Sequence, residues 1–340
     1  MTTPEPAATT DAAWPPNWWS RPIVFVAGLA AILGLLSLAS RSVYLEPNNA
    51  ADRKLLAEMR KRHVLLLGTS HGHDVSLSEM GFDGVDLTHG GQDLFEMAYM
   101  ARTVKKRSPL FDTLVISLSY FSFNFDNAAY TVDGVRTRVG RRLDLYTVFP
   151  RLTFIPGDSA EYVKGRLYPI VTLDHYQAGF KAIWDRAHGR DVVPLAVPAP
   201  PVPPDKTQAP SWFKKHAKRR CQQFRDFARN MSEHHPGLAE DAFASTLALA
   251  REMQAAKVRV IFVTPPYTRQ YNDCFEKEYV ERTLESGRRL ATLTGASYFD
   301  FSHDDSFVDR RKFFEDSDHL NERGRVAFSR RFKQQLEAAR

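Results

Sequence analysis

Cysteine is scarce in this chain of 340 residues, which contains only Cys221 and Cys274. Two cysteines so far apart in sequence form neither a zinc knuckle nor a disulfide-rich scaffold, and the sequence leaves open whether they pair. A strong bias of charge is also missing, since 46 lysines and arginines face 40 acidic residues. Because the basic residues are interleaved with acids, the net charge of +6 predicts solubility and no nucleic-acid partner.

The rest of the composition is that of a folded protein. Hydrophobic residues make up 43% of the chain, charged residues 25% and aromatic residues 12%. This balance supplies a hydrophobic core and excludes disorder of the whole chain. The length suits one large domain or two ordinary ones.

Charge is absent from one long stretch near the N-terminus. The 19 residues 22–40 contain no charged side chain, and Arg21 and Arg41 flank them. At a rise of about 1.5 Å per residue, a helix of this length nearly crosses the hydrocarbon core of a bilayer. Tryptophans, which favour the headgroup level, precede the stretch at Trp14, Trp18 and Trp19. We therefore predict an N-terminal tail over 1–21 and a single-pass membrane anchor over 22–40.

Two questions about this segment stay open. A cleaved signal peptide is the alternative, because residues 37–39 form a small-residue cleavage site, although the leader before Arg21 is long and not basic. Orientation is also undecided. Basic residues between Arg53 and Arg62 favour a cytoplasmic domain by the positive-inside count, but they are expected to belong to the first helix of the domain. Long domains translocate largely regardless of such charges.

Downstream, short apolar runs alternate with helical patterns. Strands are predicted over 63–68, 85–87, 113–118, 258–263 and 297–299, and helices over 92–107, 238–256, 274–294 and 322–338. This alternation predicts a three-layer α/β domain over residues 50–340, with a parallel sheet of the doubly wound, flavodoxin-like kind. Such sheets carry their chemistry at the carboxyl ends of the strands.

More than 130 residues separate the third and fourth predicted strands, so we predict an insertion at about 122–237. Its segment 194–210 is too rich in proline for regular structure. The helix that follows is basic, which indicates either a solvated face or contact with headgroups or an anionic polymer. A group of arginines earlier in the insertion is predicted to form a solvated loop face: Arg136, Arg138, Arg141 and Arg142.

Two polar motifs stand at opposite ends of the domain. Ser70 follows the glycine that ends the first strand, where a hydroxyl lies at the edge of the sheet and backbone N–H groups converge. His319 lies in the loop before the last helix, and Asp316, three residues earlier, is suited to orient it. A histidine base needs such a carboxylate to fix its tautomer. Asp318, the adjacent residue, is expected to point the other way.

The combination resembles the SGNH (GDSL-type) hydrolase superfamily, which has a Gly-x-Ser after the first strand, a glycine turn after the second and Asp-x-x-His before the last helix. The stretch 298–324 is especially similar to an envelope-associated branch. That branch works beside membrane-bound O-acyltransferases in D-alanylation of teichoic acids and O-acetylation of polysaccharides. The likeness covers about 60–121 and 238–336 and leaves the insertion unmatched.

The resemblance implies roles for individual residues. Ser70 is expected as the nucleophile, His319 as the base and Asp316 as its orienting carboxylate. In this superfamily the oxyanion is bound by N–H groups of the nucleophile and of a glycine after the second strand, and by an asparagine after the third. Gly90 or Gly91 supplies the glycine, and His71 is expected to contact substrate.

The asparagine is missing from its usual place after the third strand. Asn124 is displaced along the chain, Ser119 stands nearer the strand end, and absence of the third donor is the remaining alternative. A missing donor lowers the rate by about 10²-fold or more. The teichoic-acid branch shares this departure, which favours a transferase over a fast esterase.

The resulting hypothesis is a membrane-anchored serine O-acyltransferase or esterase that acts on acyl esters of a cell-envelope polysaccharide and lies outside the cytoplasm. Expected partners are the polysaccharide or an acylated carrier, the membrane and a membrane-bound O-acyltransferase. No cofactor and no metal are expected, because the spacing of the histidines matches no zinc signature. The alternative is a non-catalytic accessory subunit that binds glycan or the acyltransferase.

Overall fold

The computed structural model describes residues 20–40, 46–129 and 209–339, together with scattered positions between 131 and 189. The proline-rich stretch 194–208 therefore lies outside the described residues, as does the predicted tail up to residue 19. The predicted α/β class is confirmed by five parallel strands with helices around them.

The sheet contains β1 (Val64–Gly68), β2 (Gly84–Asp86), β3 (Thr113–Ser117), β6 (Arg259–Thr264) and β7 (Ser297–Asp300). Its order is β2-β1-β3-β6-β7, and every pair is parallel. This is the doubly wound order in which the winding direction reverses between β1 and β3, and ligands bind at such a switch point. A separate antiparallel pair is formed by β4 (Thr131–Val132) and β5 (Val135–Arg136).

Eight α-helices have both ends in the described residues: α1 (Ser20–Ser40), α2 (Glu46–Met59), α3 (Leu94–Arg107), α4 (Pro210–His234), α5 (Leu238–Ala255), α6 (Arg269–Asn272), α7 (Lys277–Thr294) and α8 (Glu322–Ala338). The sequence predicted α3, α5, α7 and α8 within a few residues. It also predicted a helix across the basic residues of α2.

Helix α1 contains the uncharged stretch. Its side chains are described over 22–36 and at Leu38, and large apolar ones such as Val24 and Phe25 are exposed. Where the structure describes side chains, it contains no helix that is both long and apolar enough to cross a membrane.

Both faces of the sheet are covered because successive strand residues point in opposite directions. Leu65 and Leu67 are buried in one apolar cluster with residues of α3 and α5. Val64 and Leu66 are buried in another, where Phe328 of α8 packs. The sheet thus forms the middle of three layers, with its carboxyl edge left for the polar loops.

The C-terminal part of the predicted insertion is an integral part of the domain. Helix α4 buries one face, and Phe224 and Phe227 pack in an aromatic cluster with Tyr267 and Tyr271. A disulfide joins Cys221 of α4 to Cys274 after α6, with 6.2 Å between the Cα atoms. The sequence left this pairing open.

Candidate active site

The Ser70 turn requires close packing at its glycines. A Cβ on Gly68 would lie 2.7 Å from Ser117 Cβ, and one on Gly72 would lie 2.4 Å from Thr88 Cγ2. After β1 the chain enters a short 3-10 helix over Ser70–Asp74. Its first residue, Ser70, is therefore held at the carboxyl edge of the sheet, beside the switch point.

The His319 loop is shaped by Asp316. One carboxylate oxygen of Asp316 accepts the backbone N–H groups of Asp318 (2.9 Å) and His319 (2.8 Å). A backbone bridge between Phe314 and Leu320 closes the loop. These bonds leave the imidazole of His319 directed toward the Ser70 turn.

The two predicted motifs meet. Ser70 Oγ lies 2.9 Å from His319 Nε2, and His319 Nδ1 lies 2.9 Å from Asp316 Oδ2. The expected hydrogen-bond contact between residues 249 positions apart is thus present. The order hydroxyl, imidazole, carboxylate is the arrangement of a serine nucleophile with its base.

Asp74 links the two motifs through the backbone. This buried carboxylate closes the Ser70 turn and accepts the N–H of Leu320, directly after His319, at 2.9 Å. Burial raises the pKa of Asp74 well above its usual value. A change at Asp74 therefore acts on both sides of the Ser70–His319 contact.

His71 lies under the predicted triad instead of at its surface. His71 is fully buried, so it does not make the predicted contact with substrate. Its ring packs behind that of His319, with 4.8 Å between the two ring centroids. Burial lowers the pKa of His71 to about 4, so the ring is neutral near pH 7. Its Nε2 lies 3.1 Å from Asp318 Oδ2 and its Nδ1 lies 2.7 Å from Ser119 Oγ.

This geometry fixes the direction of the protons. Because the Asp318 carboxylate only accepts, the single ring proton of His71 is on Nε2, and Nδ1 accepts from the hydroxyl of Ser119. Thr69 Oγ1, 2.7 Å from Ser119 Oγ, donates to Ser119 in turn. The Ser119 hydroxyl therefore supports His71 and is not available to an oxyanion.

Two side chains of α4 reach the site, and neither was predicted as a site residue from the sequence. Arg220 donates from Nε to Asp318 Oδ2 at 3.1 Å, and its Nη2 also lies 3.1 Å from that oxygen. His216 Nδ1 lies 2.8 Å from Ser317 Oγ, and its Nε2 lies 4.0 Å from Asp316 Oδ2. Their spacing of four along α4, on a helix predicted only as basic, was the available signal.

The charges around His319 oppose each other. Burial lowers the pKa of His319, but the carboxylates of Asp318 and Asp316 outweigh it and raise that pKa to about 10. Burial likewise raises the pKa of Asp318, but His319, His71 and Arg220 hold it well below its usual value. At neutral pH the imidazole of His319 is therefore protonated and donates to Ser70.

The predicted oxyanion donors differ in position. Gly91 has φ 71°, a left-handed conformation, while Gly90 has no atom within 4 Å of its Cβ direction. Asn124 ends a 3-10 turn over Ser122–Asn124 and is not among the described hydrogen-bond partners of Ser70 or His319. A third donor from Asn124 stays a prediction, whereas the Ser119 hydroxyl donates to His71 and therefore does not take that role.

Possible metal ligands cluster at the same place. Potential ligand atoms lie within 4.8 Å of one another in three sets: His71, Asp318 and His319; His216, Asp316 and Asp318; and Glu315, Asp316 and His319. All three share residues with the hydrogen-bonded network just described, and every member except Glu315 already has a hydrogen-bonded partner in it. We interpret them as parts of that network.

A scan against known protein families found no match, and neither did a search of curated proteins. At the switch point of the doubly wound sheet, the site combines Ser70, the His319–Asp316 pair and the Asp318 carboxylate that Arg220 binds.

Proposed function

We propose that this chain is a membrane-anchored serine acyltransferase or esterase of the SGNH type. The main support is the contact of Ser70 Oγ with His319 Nε2 at 2.9 Å. Asp316 contacts the other ring nitrogen of His319. The strand order and the position of Ser70, two residues after the end of β1, support the same proposal.

In the proposed reaction, neutral His319 removes the proton from Ser70 as its oxygen attacks the acyl carbonyl. Asp316 stabilises the imidazolium that forms, and the N–H of Ser70, with that of Gly90 or Gly91, binds the oxyanion. Collapse breaks the bond to the leaving oxygen, which takes the proton from His319. In the second half of the reaction, His319 removes the proton from a polysaccharide hydroxyl or from water as that oxygen attacks the acyl carbonyl. The bond to Ser70 Oγ then breaks, and Ser70 takes the proton back from His319.

The raised pKa of His319 limits every step that needs the neutral imidazole, so it slows transfer and hydrolysis alike near neutral pH. The support for transfer is the missing asparagine after the third strand. We propose that acyl groups come from an acylated carrier or a membrane-bound O-acyltransferase and go to a cell-envelope polysaccharide.

We propose α1 as the anchor and a site outside the cytoplasm for the domain. The uncharged stretch 22–40 and the exposed apolar side chains of α1 support the first point. The Cys221–Cys274 disulfide supports the second, because such bonds persist in oxidising compartments. Reporter fusions after Arg41 and at the C-terminus should be active only in the extracytoplasmic assay, and activity only in the cytoplasmic one would contradict this location.

A fluorophosphonate probe tests the proposed chemistry on the full chain in detergent. We expect one adduct, mapped by mass spectrometry to Ser70, with a labelling rate that rises from pH 7 to pH 10 as His319 loses its proton. Ser70→Ala should remove labelling, whereas Ser78→Ala, at an exposed serine of the same region, should not. A folded protein that stays unlabelled throughout this pH range would favour the accessory-subunit alternative.

A further inference from the structure

Asp318 is the meeting point of the site. Its fully buried carboxylate accepts from His71, from Arg220 and, at 2.9 Å, from Ser317 Oγ. The same carboxylate lies 3.9 Å from His319 Nδ1. One negative charge is thus placed between the imidazole of His319 and the guanidinium of Arg220.

We propose that Arg220 is a positioning residue for the acyl transfer proposed above. By pairing with Asp318, it holds this carboxylate against His71 and offsets its negative charge at His319. The catalytic part of this proposal rests on the proposed function. The effect of the Arg220–Asp318 pair on the pKa of His319 can be measured without a substrate.

The other titratable groups that face His319 are Asp316 and Glu315 of its own loop and Asp74 and His71 of the Ser70 turn. One step further out, His216 of α4 lies beside Asp316 and Asp318, and Arg325 of α8 acts on Asp74 and Glu315. Asp316 contacts the imidazole directly and His71 is neutral near pH 7. Among the described side chains that hydrogen-bond to Asp318, Arg220 is the only permanent cation. Coulomb interaction over these short distances is strong, because bulk water does not screen a buried carboxylate.

Arg220 is held in place by its own helix. Its guanidinium lies 5.2 Å from the centre of the Phe224 ring, and its Nη1 donates to Gln223 Oε1 at 3.3 Å. The next residue, Cys221, is joined by the disulfide to Cys274. A fixed guanidinium loses little side-chain freedom when it binds the carboxylate, and its fork suits this role better than an ammonium group.

The two members of the ion pair should act on His319 in opposite directions. Asp318→Asn removes a negative charge beside the imidazole, so the pKa of His319 should fall by about one unit or more. Arg220→Gln leaves the Asp318 charge without its arginine, so the pKa should rise. A merely structural role for either residue would not produce shifts of opposite sign.

The test is a pH titration of the full chain labelled with [15N]histidine, in detergent, with the His319 signal assigned by its loss in His319→Asn. We expect the neutral fraction of His319 at pH 9 to increase several-fold in Asp318→Asn and to decrease in Arg220→Gln. Arg219→Gln is the matched control, since it removes the same charge from an exposed position of α4 and should leave the midpoint unchanged.

Equal shifts, or shifts of the same sign, in Asp318→Asn and Arg220→Gln would contradict the proposal. If Arg220→Gln does not fold, Arg220→Lys replaces it. The retained charge should keep the midpoint of the His319 titration within about half a pH unit of wild type. A shift as large as that of Asp318→Asn would contradict the proposal. Fluorophosphonate labelling, measured on the same samples, separates the two hypotheses. Labelled Ser70 with unshifted titrations contradicts only the role of Arg220, whereas opposite shifts without labelling contradict only the proposed function.

Discussion

Ser70→Ala is expected to lower acyl transfer by about 10⁴-fold or more, and His319→Ala by a similar factor. The double variant should lose little more than either single one, because the nucleophile and its base act as a unit. The measurement is the rate of acyl transfer, or of nitrophenyl acetate hydrolysis, by the full chain in detergent. Far-ultraviolet circular dichroism checks that each variant is folded.

Asp316→Ala should be less severe and should leave roughly 10- to 100-fold more activity than Ser70→Ala. It removes the partner that orients His319, at 2.9 Å, but leaves the imidazole itself. Ser78→Ala is the matched control and should keep the wild-type rate, since this exposed serine contacts Ser76 and not the site. Full activity in Ser70→Ala would contradict the proposed chemistry. Fully additive losses in the double variant would show that Ser70 and His319 do not act together.

The main features of the fold and of the triad follow from local sequence patterns. The apolar run 63–68 and the glycine that ends it are next to Ser70, so strand and nucleophile are predicted together. Asp316 and His319 are three residues apart in one loop, and that spacing already allows their contact. The carboxyl ends of parallel strands lie at one edge of the sheet. The fold class alone therefore predicts that loops far apart in the sequence meet there.

The surroundings of the triad could not be predicted in the same way. Asp318 contacts His71, 247 positions away, and Arg220, 98 positions away. Neither pairing follows a regular sequence spacing, so neither could be predicted from the sequence. The sequence supplied only the expectation that Asp318 points away from His319. Its carboxylate does bind His71 and Arg220, but it also lies 3.9 Å from His319 Nδ1. A helix inserted in the chain supplied the arginine, and its docking depends on tertiary packing of aromatic residues such as Phe224.

Arg142 shows a second limit, because the sequence predicted it as part of a solvated loop face. The structure buries it, with only 1% of its side chain exposed. Arginine in a loop is normally exposed, and burial occurs when partners elsewhere in the chain supply the charge. Those partners lie up to 49 residues away, so the local pattern was uninformative.

Arg142→Met is accordingly expected to cost about 3–5 kcal/mol of unfolding free energy at neutral pH. The Arg142 guanidinium lies 2.7 Å from Asp93, 2.8 Å from Asp126, 3.2 Å from Asp158 and 3.4 Å from Glu96. Asp93 and Glu96 also cap α3, so the cluster joins this helix to the chain around residue 142. Methionine fills similar space but removes the cation that the four carboxylates share.

The matched control is Arg102→Met on α3, which removes a more exposed ion pair with Glu252. Such a pair contributes about 1 kcal/mol or less, so this variant should unfold nearly like wild type. Chemical denaturation of the full chain in detergent, followed by circular dichroism, measures both variants. Equal losses in the two would show that the buried cluster contributes no more than a surface pair.

The deficit of Arg142→Met should also depend on pH, with a predictable sign. Burial raises the pKa of Asp93 to about 6 and that of Glu96 well above its usual value, although Arg142 lowers both. An acid whose pKa is raised in the folded chain binds its proton more tightly there than in the unfolded chain. Protonation of Asp93 and Glu96 therefore stabilises the folded chain at low pH. This stabilisation is lost as pH rises through the folded-state pKa. Removal of Arg142 raises both pKa values further, so the deficit should be largest above pH 7 and should shrink as pH falls toward 4. A deficit that is constant between pH 4.5 and pH 8 would point to lost packing of the arginine side chain as the cause, since packing does not titrate.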